Sequence, residues 1–331
     1  MQRTKLACTL HCLDIFSVIE MKRQAMANYR QFFSSCMAGL LACVAANSQA
    51  ANLGTGLTNT EWRIEASQYF CKFYQPIPQY GLAVFFQEAG ETLEFYLEST
   101  RNLMAEGQAA LTIEAPAWRS SALTTELGYS RVIDRKFPIR VETARAGRMM
   151  DELTAGMAPT LTRKAKFGDD LIRLQISPVN FKNYYNDYLA CQTGLLPVNY
   201  RQIERSSVLF GGGGERLDAQ ATALLDSMVT YMNADNLISA VFIDGHSDGQ
   251  GERYANRRLS EKRAVKVTDY LVNAGIDAAI IVTRYHGERY PIATNETAAG
   301  RRLNRRVTLQ FERISGDPDD PLRDLPNFEA K

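Results

Sequence analysis

The sequence predicts a two-domain α+β protein, in which an N-terminal antiparallel β domain is followed by an α/β sandwich of the βαβαβ type. Three observations support this prediction. The length of 331 residues suits about two domains. From Asn52 to about Gly168, short alternations of apolar and polar residues are separated by turn residues. From about Tyr200 to Ile314, strand patterns alternate with helical ones.

The N-terminus has the layout of a secretory signal. A basic stretch, 22–30, precedes a short apolar run, Cys36–Ala46, and a small residue at Ala50 suits cleavage. The apolar run is too short to remain in a bilayer as a spanning helix. We therefore predict that residues 1–50 are a signal peptide with an upstream extension, and that the mature protein is periplasmic.

The predicted cleavage determines which cysteines remain in the mature protein. Cleavage leaves Cys71 and Cys191, and an even pair in an oxidising compartment predicts one disulfide. Two free buried thiols are the alternative. A second alternative concerns the signal itself, because Leu40–Cys43 also resembles a lipoprotein signal in which Cys43 would be lipidated.

We predict that residues 51–198 form the β domain. The stretch TLEFYLES places apolar and polar residues on opposite faces of a half-buried strand: Leu93, Phe95 and Leu97 on one, and Glu94, Tyr96 and Glu98 on the other. Such strands are too short and too few for a membrane barrel. A helix is predicted at Gly147–Gly156, and a partly helical connector at Ser177–Tyr200.

We predict that residues 199–316 form the α/β sandwich. Strands are expected at Ser206–Phe210, Ile238–Gly245 and two later segments, with an amphipathic helix after the first. A second helix is expected to stop at Gly275, the residue type that most often follows a helix. The Pro- and Asp-rich segment 317–331 is predicted to be a disordered acidic tail. Since the pattern changes near Pro197, we expect the two halves to fold independently.

The segment from Asp244 to Ala264, DGHSDGQGERYANRRLSEKRA, is dense in charge, but its pattern does not predict an enzyme. Its carboxylates have no spacing that would place two of them about one bond. His246 has no partner nucleophile, and three histidines with two remaining cysteines do not suggest a metal cluster. The glycines at 211–214 lack the lysine and hydroxyl of a phosphate-binding loop. We expect no catalytic residue, no cofactor and no metal.

Nucleic acid is not an expected partner either. The formal net charge is +1, and acidic residues interleave with the arginines. Secretion would also remove the chain from cytoplasmic nucleic acid. We expect most of these cations, Arg257 and Lys262 above all, to form a solvated helix face.

A small binding pocket fits the segment better. Asn256 and Arg263 lie two turns apart on one helix face with Leu259 between them, and the loop that carries Asp248 leads into this helix. A carboxylate and a guanidinium on opposite walls suit a zwitterionic ligand. In the periplasm the abundant zwitterion is the free end of diaminopimelate in peptidoglycan.

The segments IDGHSDGQGERYANRRLSEKRAVKVTDYLVNAGI and YHGERYPIATNETAAGRRLNRRV resemble the OmpA-like peptidoglycan-binding family. The resemblance implies a diaminopimelate site formed by Asp248, Asn256, Leu259, Arg263 and Arg306, with Arg306 favoured over Arg305. Departures from the family pattern are small. Ser247 keeps the hydroxyl of the commoner threonine, whereas Tyr285 and His286 leave the shape of their loop undefined.

The first domain resembles the MotY family of sodium-type flagellar motor proteins. The segments WRIEASQYFCKFYQPIPQYGLAVFFQ, APAWR and NFKNYYNDYLACQTGLLP carry this resemblance, and the spacing from Cys71 to Cys191 fits it. It implies docking on the flagellar basal body as part of the T ring, with a MotX-like protein and the stator complex as partners.

Together these observations predict a non-enzymatic periplasmic anchor, associated with the basal body and with the outer membrane or cell wall. The β domain would hold the motor and the sandwich would hold peptidoglycan. The alternative is a general OmpA/Pal-type tether, lipidated on Cys43 or otherwise attached to the outer membrane. A peptidoglycan enzyme is the third class.

Overall fold

The computed structural model describes residues 50–54, 60–116, 119, 124–315 and 326. The predicted targeting segment before residue 50, with Cys43, lies outside this part of the chain. So does the predicted tail, apart from the single residue 326.

The first half of the described chain forms a ten-stranded sheet. Its strand order is β1-β10-β9-β6-β7-β8-β5-β4-β3-β2, and every neighbouring pair is antiparallel except the parallel pair of β1 and β10. The predicted antiparallel β domain is therefore confirmed. The strands are β1 (Ala51–Gly54), β2 (Arg63–Ala66), β3 (Phe70–Ile77), β4 (Gly81–Glu88), β5 (Glu94–Ser99), β6 (Gly107–Glu114), β7 (Thr125–Val132), β8 (Ile139–Val141), β9 (Ala158–Lys164) and β10 (Leu171–Gln175).

Two helices cover one face of this sheet. Helix α1 is Thr143–Thr154 and helix α2 is Phe181–Thr193. Their buried side chains join a core centred on Trp62, whose ring lies 4.7 Å from that of Phe73 and 5.0 Å from that of Phe181. Trp62 Nε1 donates to the carbonyl of Ser177 at 3.2 Å, so burial of the indole leaves its N–H bonded.

Strand β5 differs from its predicted half-buried pattern. Phe95 and Leu97 face the main core as expected, but Tyr96 is also buried. It joins a small second cluster on the opposite face of the sheet with Val84 and Phe86. A pattern in one strand could not show that neighbouring strands also present aromatic residues on that face.

The second half forms a four-stranded sheet in the order β11-β14-β12-β13, in which β12 and β13 are parallel and the other pairs antiparallel. The predicted α/β sandwich is confirmed. Its strands are β11 (Arg205–Leu209), β12 (Ile238–Gly245), β13 (Ile281–Tyr285) and β14 (Arg306–Arg313). Its helices are α3 (Tyr200–Ile203), α4 (Ala219–Ala234), α5 (Arg253–Asn273) and α6 (Ala298–Asn304), with a 3₁₀ turn at Ala278–Ile280.

Local sequence explains how these helices begin and end. The side chain of Asp218 accepts from the backbone N–H of Ala221 at the start of α4, and Thr297 accepts from Gly300 at the start of α6. After α5 the chain turns at Gly275 with φ of +97°, as predicted from the residue type. Helix α6 was not predicted, since seven residues carry too little periodicity to recognise.

The core of the second half includes side chains from the first. Tyr69, Ala89 and Leu196 pack in the same buried cluster as the apolar faces of α4, α5 and the four-stranded sheet. Tyr69 Oη donates to the carbonyl of Ala234 at 2.7 Å, and Arg201 pairs with Glu88 at 2.5 Å. The two sheets are therefore joined through a continuous apolar contact.

The disulfide links Cys71 in β3 to Cys191 in α2, across 120 residues of sequence. The prediction of this bond is confirmed. It ties the last turn of α2 to the sheet just before the chain passes into the second half.

Candidate functional site

Four chain segments meet at one end of the strands of the four-stranded sheet. Strands β11, β12 and β13 run in the same direction, so their carboxyl ends lie together. Strand β14 runs the opposite way and therefore begins at this end. The loops that follow β11, β12 and β13 therefore surround the residues that precede β14. The charged residues chosen from the sequence lie in these segments or on helix α5.

Arg263 of α5 is the most deeply placed of these residues, with no exposed surface. Its guanidinium donates to three backbone carbonyls: that of Gly214 at 2.9 Å, His246 at 3.2 Å and Gly211 at 3.3 Å. The guanidinium carbon also lies 5.3 Å from the centre of the Phe210 ring. Burial lowers the pKa of Arg263 to about 10, so the side chain stays charged at neutral pH.

These three bonds also fix the orientation of the group. An arginine carries five N–H groups. Arg263 gives three of them to carbonyls, and within the described residues no acceptor takes the other two. The loop of glycines 211–214, which lacks a phosphate-binding pattern, thus supplies carbonyl oxygens that hold the arginine.

Asp248 is paired with Arg305. Its Oδ2 accepts from Arg305 Nη1 at 2.9 Å, and both side chains are 16% exposed. Its Oδ1 accepts from the backbone N–H of Gln250 at 3.3 Å. Arg305 Nε also donates to the carbonyl of Phe210 at 3.3 Å, next to the Gly211 carbonyl that Arg263 bonds, so these three residues form one cluster. We refer to Asp248, Arg263 and Arg305 as the charge cluster.

Arg306 is not part of that cluster. It is buried, and its Nη2 donates to the carbonyl of Tyr290 at 3.2 Å, while Nη1 has no partner among the described residues. Consecutive residues in a strand point to opposite faces, and the next residue, Val307, faces the helices in the apolar core. Arg305, which lies between α6 and β14, is the arginine that pairs with Asp248. The prediction that Arg306 contacts the ligand stays a prediction.

The other two predicted residues have different surroundings. Asn256 is buried, and its Nδ2 donates to Glu288 Oε2 at 2.6 Å, which joins α5 to the loop after β13. Leu259 is half-buried on the same helix. Arg257 and Lys262 are exposed, as expected.

A second set of polar residues supports the site, and the sequence did not single them out for this role. Asp244, near the end of β12, accepts two hydrogen bonds from Arg284 at 2.7 Å each and one contact from His286 at 2.6 Å. Burial alone would raise the pKa of Asp244, but the bonds from Arg284 and His286 outweigh it and the pKa is lowered.

The loop after β13 is held by Asn304, the last residue of α6. Its Oδ1 accepts from the backbone N–H groups of Ile292 and Ala293, and its Nδ2 donates to Asn295 Oδ1 at 2.9 Å. Asn295 Oδ1 in turn accepts from the backbone N–H of Gly249, next to Asp248. The last four residues of the quoted segment that ends in NRRV, 304–307, thus contain both a loop support, Asn304, and a member of the charge cluster, Arg305.

His246 is buried against this region. Burial lowers its pKa to about 4, with further contributions from Arg306 and His286, so the ring is neutral at pH 7.

Within the described residues, no group of three or more His, Cys, Asp or Glu side chains is arranged to hold a metal ion. No helix in that part of the chain is long and apolar enough to cross a membrane.

Known protein families account for most of the chain. Residues 54–197 match the MotY N-terminal domain and residues 209–305 match the OmpA family. The chain is 26% identical over 246 residues to the sodium-type flagellar protein MotY of Vibrio parahaemolyticus, an alignment that covers 73% of this chain and 84% of that relative.

Other relatives match a shorter part. Outer membrane protein A of Bordetella avium is 34% identical over 35% of this chain and 59% of its own length. Outer-membrane lipoprotein YfiB of Pseudomonas aeruginosa is 38% identical over 31% of this chain and 61% of its own length. The solved peptidoglycan-associated lipoprotein of Burkholderia pseudomallei is 27% identical over 32% of this chain and 89% of its own, with a TM-score of 0.31 that adds nothing to the sequence matches. The two family matches, together with the relative aligned over 84% of its length, identify the chain as a MotY homologue, in which a MotY N-terminal domain precedes an OmpA-family domain.

Proposed function

We propose that this protein is a non-enzymatic anchor of the flagellar motor in the periplasm. The segment 51–198 docks on the flagellar basal body, and the segment 199–316 binds peptidoglycan. The MotY N-terminal domain and the OmpA-family domain in one chain support this division. A MotX-like T-ring protein and the stator complex are the partners proposed for the first segment.

The proposal that this protein binds peptidoglycan rests on one observation, the hydrogen bonding of the buried guanidinium of Arg263. A charged guanidinium is costly to bury unless it is bonded, and here three carbonyls hold it while two N–H groups remain uncommitted among the described residues. Such a group is oriented before any ligand arrives, which reduces the entropy lost on binding. Because Arg263 has no exposed surface, a ligand carboxylate would accept the remaining N–H groups only after it displaces the side chains that cover them.

The ligand proposed is the zwitterionic end of diaminopimelate in the peptide stem. Its carboxylate would bind Arg263, and its ammonium would bind Asp248, where Arg305 now pairs. We propose Arg305 as the second cation for the carboxylate, since it lies within the charge cluster and Arg306 does not. Asn256 and Leu259 then act from α5, the first by holding the adjacent loop through Glu288.

Binding to purified peptidoglycan tests this proposal. Asp248→Ala and Arg263→Lys should each weaken binding by about 2–5 kcal/mol, because each leaves an opposite charge of the ligand unpaired or a bidentate contact unmade. Lys262→Ala is the matched control, since it removes an exposed cation one residue from Arg263 on the same helix.

Sedimentation with purified sacculi and a thermal melt of each variant measure binding and folding separately. Normal binding by both site variants would remove the assignment of the charge cluster. An equal loss in Lys262→Ala would instead indicate a diffuse electrostatic attraction to the wall.

The competing function is a general tether between the outer membrane and the wall, with Cys43 lipidated. Swimming of a deletion strain in soft agar, together with co-sedimentation of the protein with purified basal bodies, separates the two. Loss of swimming and presence in basal bodies support the motor anchor. Normal swimming with a lipid-modified N-terminus would favour the tether.

A further inference from the structure

An exposed aromatic group lies on the helix α5 side of the candidate site. Tyr254, in the first turn of α5, is 75% exposed, and Tyr285, at the end of β13, is 37% exposed. The guanidinium carbon of Arg257 lies 5.4 Å from the centre of the Tyr285 ring, and Tyr254 is three residues before Arg257 on the same helix face. We refer to Tyr254, Arg257 and Tyr285 as the aromatic patch. Tyr254 leaves most of its ring in water, so the fold gains little from it.

The aromatic patch is held rigidly. The backbone N–H of Gly287 donates to Ser260 Oγ at 2.9 Å, and Asn256 Nδ2 donates to Glu288, so the loop after β13 is fastened to α5. Gly287 has φ of +61°, and a side chain there would lie 3.3 Å from the backbone of Arg257. The loop thus packs closely against α5, which holds Tyr285 beside Arg257.

The patch is continuous with the charge cluster. Tyr285 pairs with Gly245 across the parallel strands, and the chain continues from Gly245 into the loop that carries Asp248. The carbonyls of Gly211 and Gly214 that hold Arg263 follow β11, at the far side of the sheet from β13. Arg263 also donates to the carbonyl of His246, which directly follows β12, the strand beside β13, so the charge cluster and the aromatic patch both border the loop after β12.

One molecule of the wall polymer is long enough to reach both places. An extended tripeptide spans about 10 Å, and in peptidoglycan a short peptide stem joins the diamino acid to a chain of amino sugars. A ligand whose zwitterionic end occupies the charge cluster therefore brings its sugar close to β13. Sugar rings present faces of C–H groups that pack on aromatic rings, and their hydroxyl and acetamido oxygens accept hydrogen bonds from arginine.

We propose that the aromatic patch binds the glycan strand of peptidoglycan while the charge cluster binds its peptide stem. This inference rests on the proposed function and adds a second contact to it. The rings of Tyr254 and Tyr285 cover the apolar face of a sugar, and Arg257 donates to a sugar oxygen. A two-part contact would favour intact wall over free peptide fragments.

Calorimetric titration with two defined ligands tests the inference in the full-length protein. One ligand is a disaccharide that carries a diaminopimelate-containing tripeptide, and the other is the same tripeptide without sugar. The wild type should bind the disaccharide ligand about three- to tenfold more tightly, the range expected for covering one sugar face. Tyr254→Ala should remove that difference without changing the affinity for the tripeptide.

Two variants serve as controls. Tyr254→Phe keeps the ring and should retain the preference, whereas Phe167→Ala removes a ring that is 81% exposed elsewhere on the molecule and should change nothing. Equal affinity of the wild type for both ligands, or an equal loss for both in Tyr254→Ala, would overturn the glycan contact while leaving the peptide site standing. Failure of the wild type to bind either ligand would overturn the proposed function, and the glycan contact with it.

Discussion

At the scale of single residues, Asp244 shows how one carboxylate stabilises the edge of the sheet near the site. It lies beneath Arg284 and His286, with 15% of its side chain exposed, and it joins β12 to β13 and to the loop that follows. Its pKa is lowered in the folded protein, because bonds to the ionised form outweigh the cost of burial. Folding therefore favours the charged carboxylate.

The sign of this shift predicts a pH dependence. A carboxyl with a lowered pKa contributes stability that is present above its unfolded value of about 3.9 and is lost as the pH falls through the folded value. Asp244→Asn should lower the free energy of unfolding at pH 7 by about 1–3 kcal/mol, and the deficit should shrink as the pH is lowered past 4. Urea titrations of both proteins over this range measure it. A deficit that is the same at all pH values would show that only the shape of the side chain matters.

At the scale of secondary-structure elements, helix α2 is the connection between the two halves. Its N-terminal residue Phe181 packs on Trp62, and Cys191 near its end is bonded to β3. The segment after it carries Leu196 into the core of the second half. The disulfide thus fastens α2 to β3, and the segment that follows α2 makes the first contact with the second half.

Removal of the disulfide should therefore reduce stability more than it reduces wall binding. For a bridge that spans 120 residues, the loop-entropy model gives about 5 kcal/mol. The double variant Cys71→Ser with Cys191→Ser should melt at a lower temperature, and below that temperature it should bind sacculi like the wild type, since both cysteines lie outside the charge cluster. A variant that melts normally, or one that remains folded but no longer binds, would contradict this.

At the scale of the whole molecule, the two halves share apolar packing. The ring of Tyr69, which comes from the β domain, lies 6.0 Å from that of Tyr231 on α4, and its hydroxyl is bonded to the end of that helix. Asn199 donates to the carbonyl of Ala89 at 3.1 Å across the same boundary. An anchor transmits force only when both ends are engaged, and a packed boundary suits that role better than a flexible linker would.

This boundary predicts how fragments behave. The fragment 199–316 keeps its sheet, its helices and the charge cluster, so it should bind peptidoglycan without restoring motility. It should be less stable than the same part of the full chain, because Tyr69, Ala89 and Leu196 no longer cover its core. Tyr69→Ala in the full chain should reproduce the effect at about 3 kcal/mol.

Thermal unfolding of the full chain, the fragment and Tyr69→Ala tests the coupling of the two halves. A fragment as stable as the full protein would show that the halves are independent. Motility restored by residues 51–198 alone would show that wall binding is not required for anchoring.

Most of the fold was predictable from local patterns. The existence of strand β5 with Phe95 and Leu97 in the core, the helical period of α5 and the stop at Gly275 depend on residues close in sequence, so the sequence of one chain shows them. The position of Arg263 two turns after Asn256 follows from the same period, and the disulfide followed from counting the cysteines that remain after cleavage. The family resemblance of both halves rested on contiguous segments, and it is confirmed.

Tertiary structure alone decided three other features, each for a geometric reason. The end of α6 and the start of β14 determine which of two adjacent arginines meets Asp248: Arg305, between the two elements, pairs with it, whereas Arg306 is the first residue of the strand and bonds to the carbonyl of Tyr290. Tyr96 is buried because strands distant in sequence bring aromatic residues to its face of the sheet. Tyr69 belongs to the core of the other half because burial depends on what packs nearby in space, which local sequence does not encode.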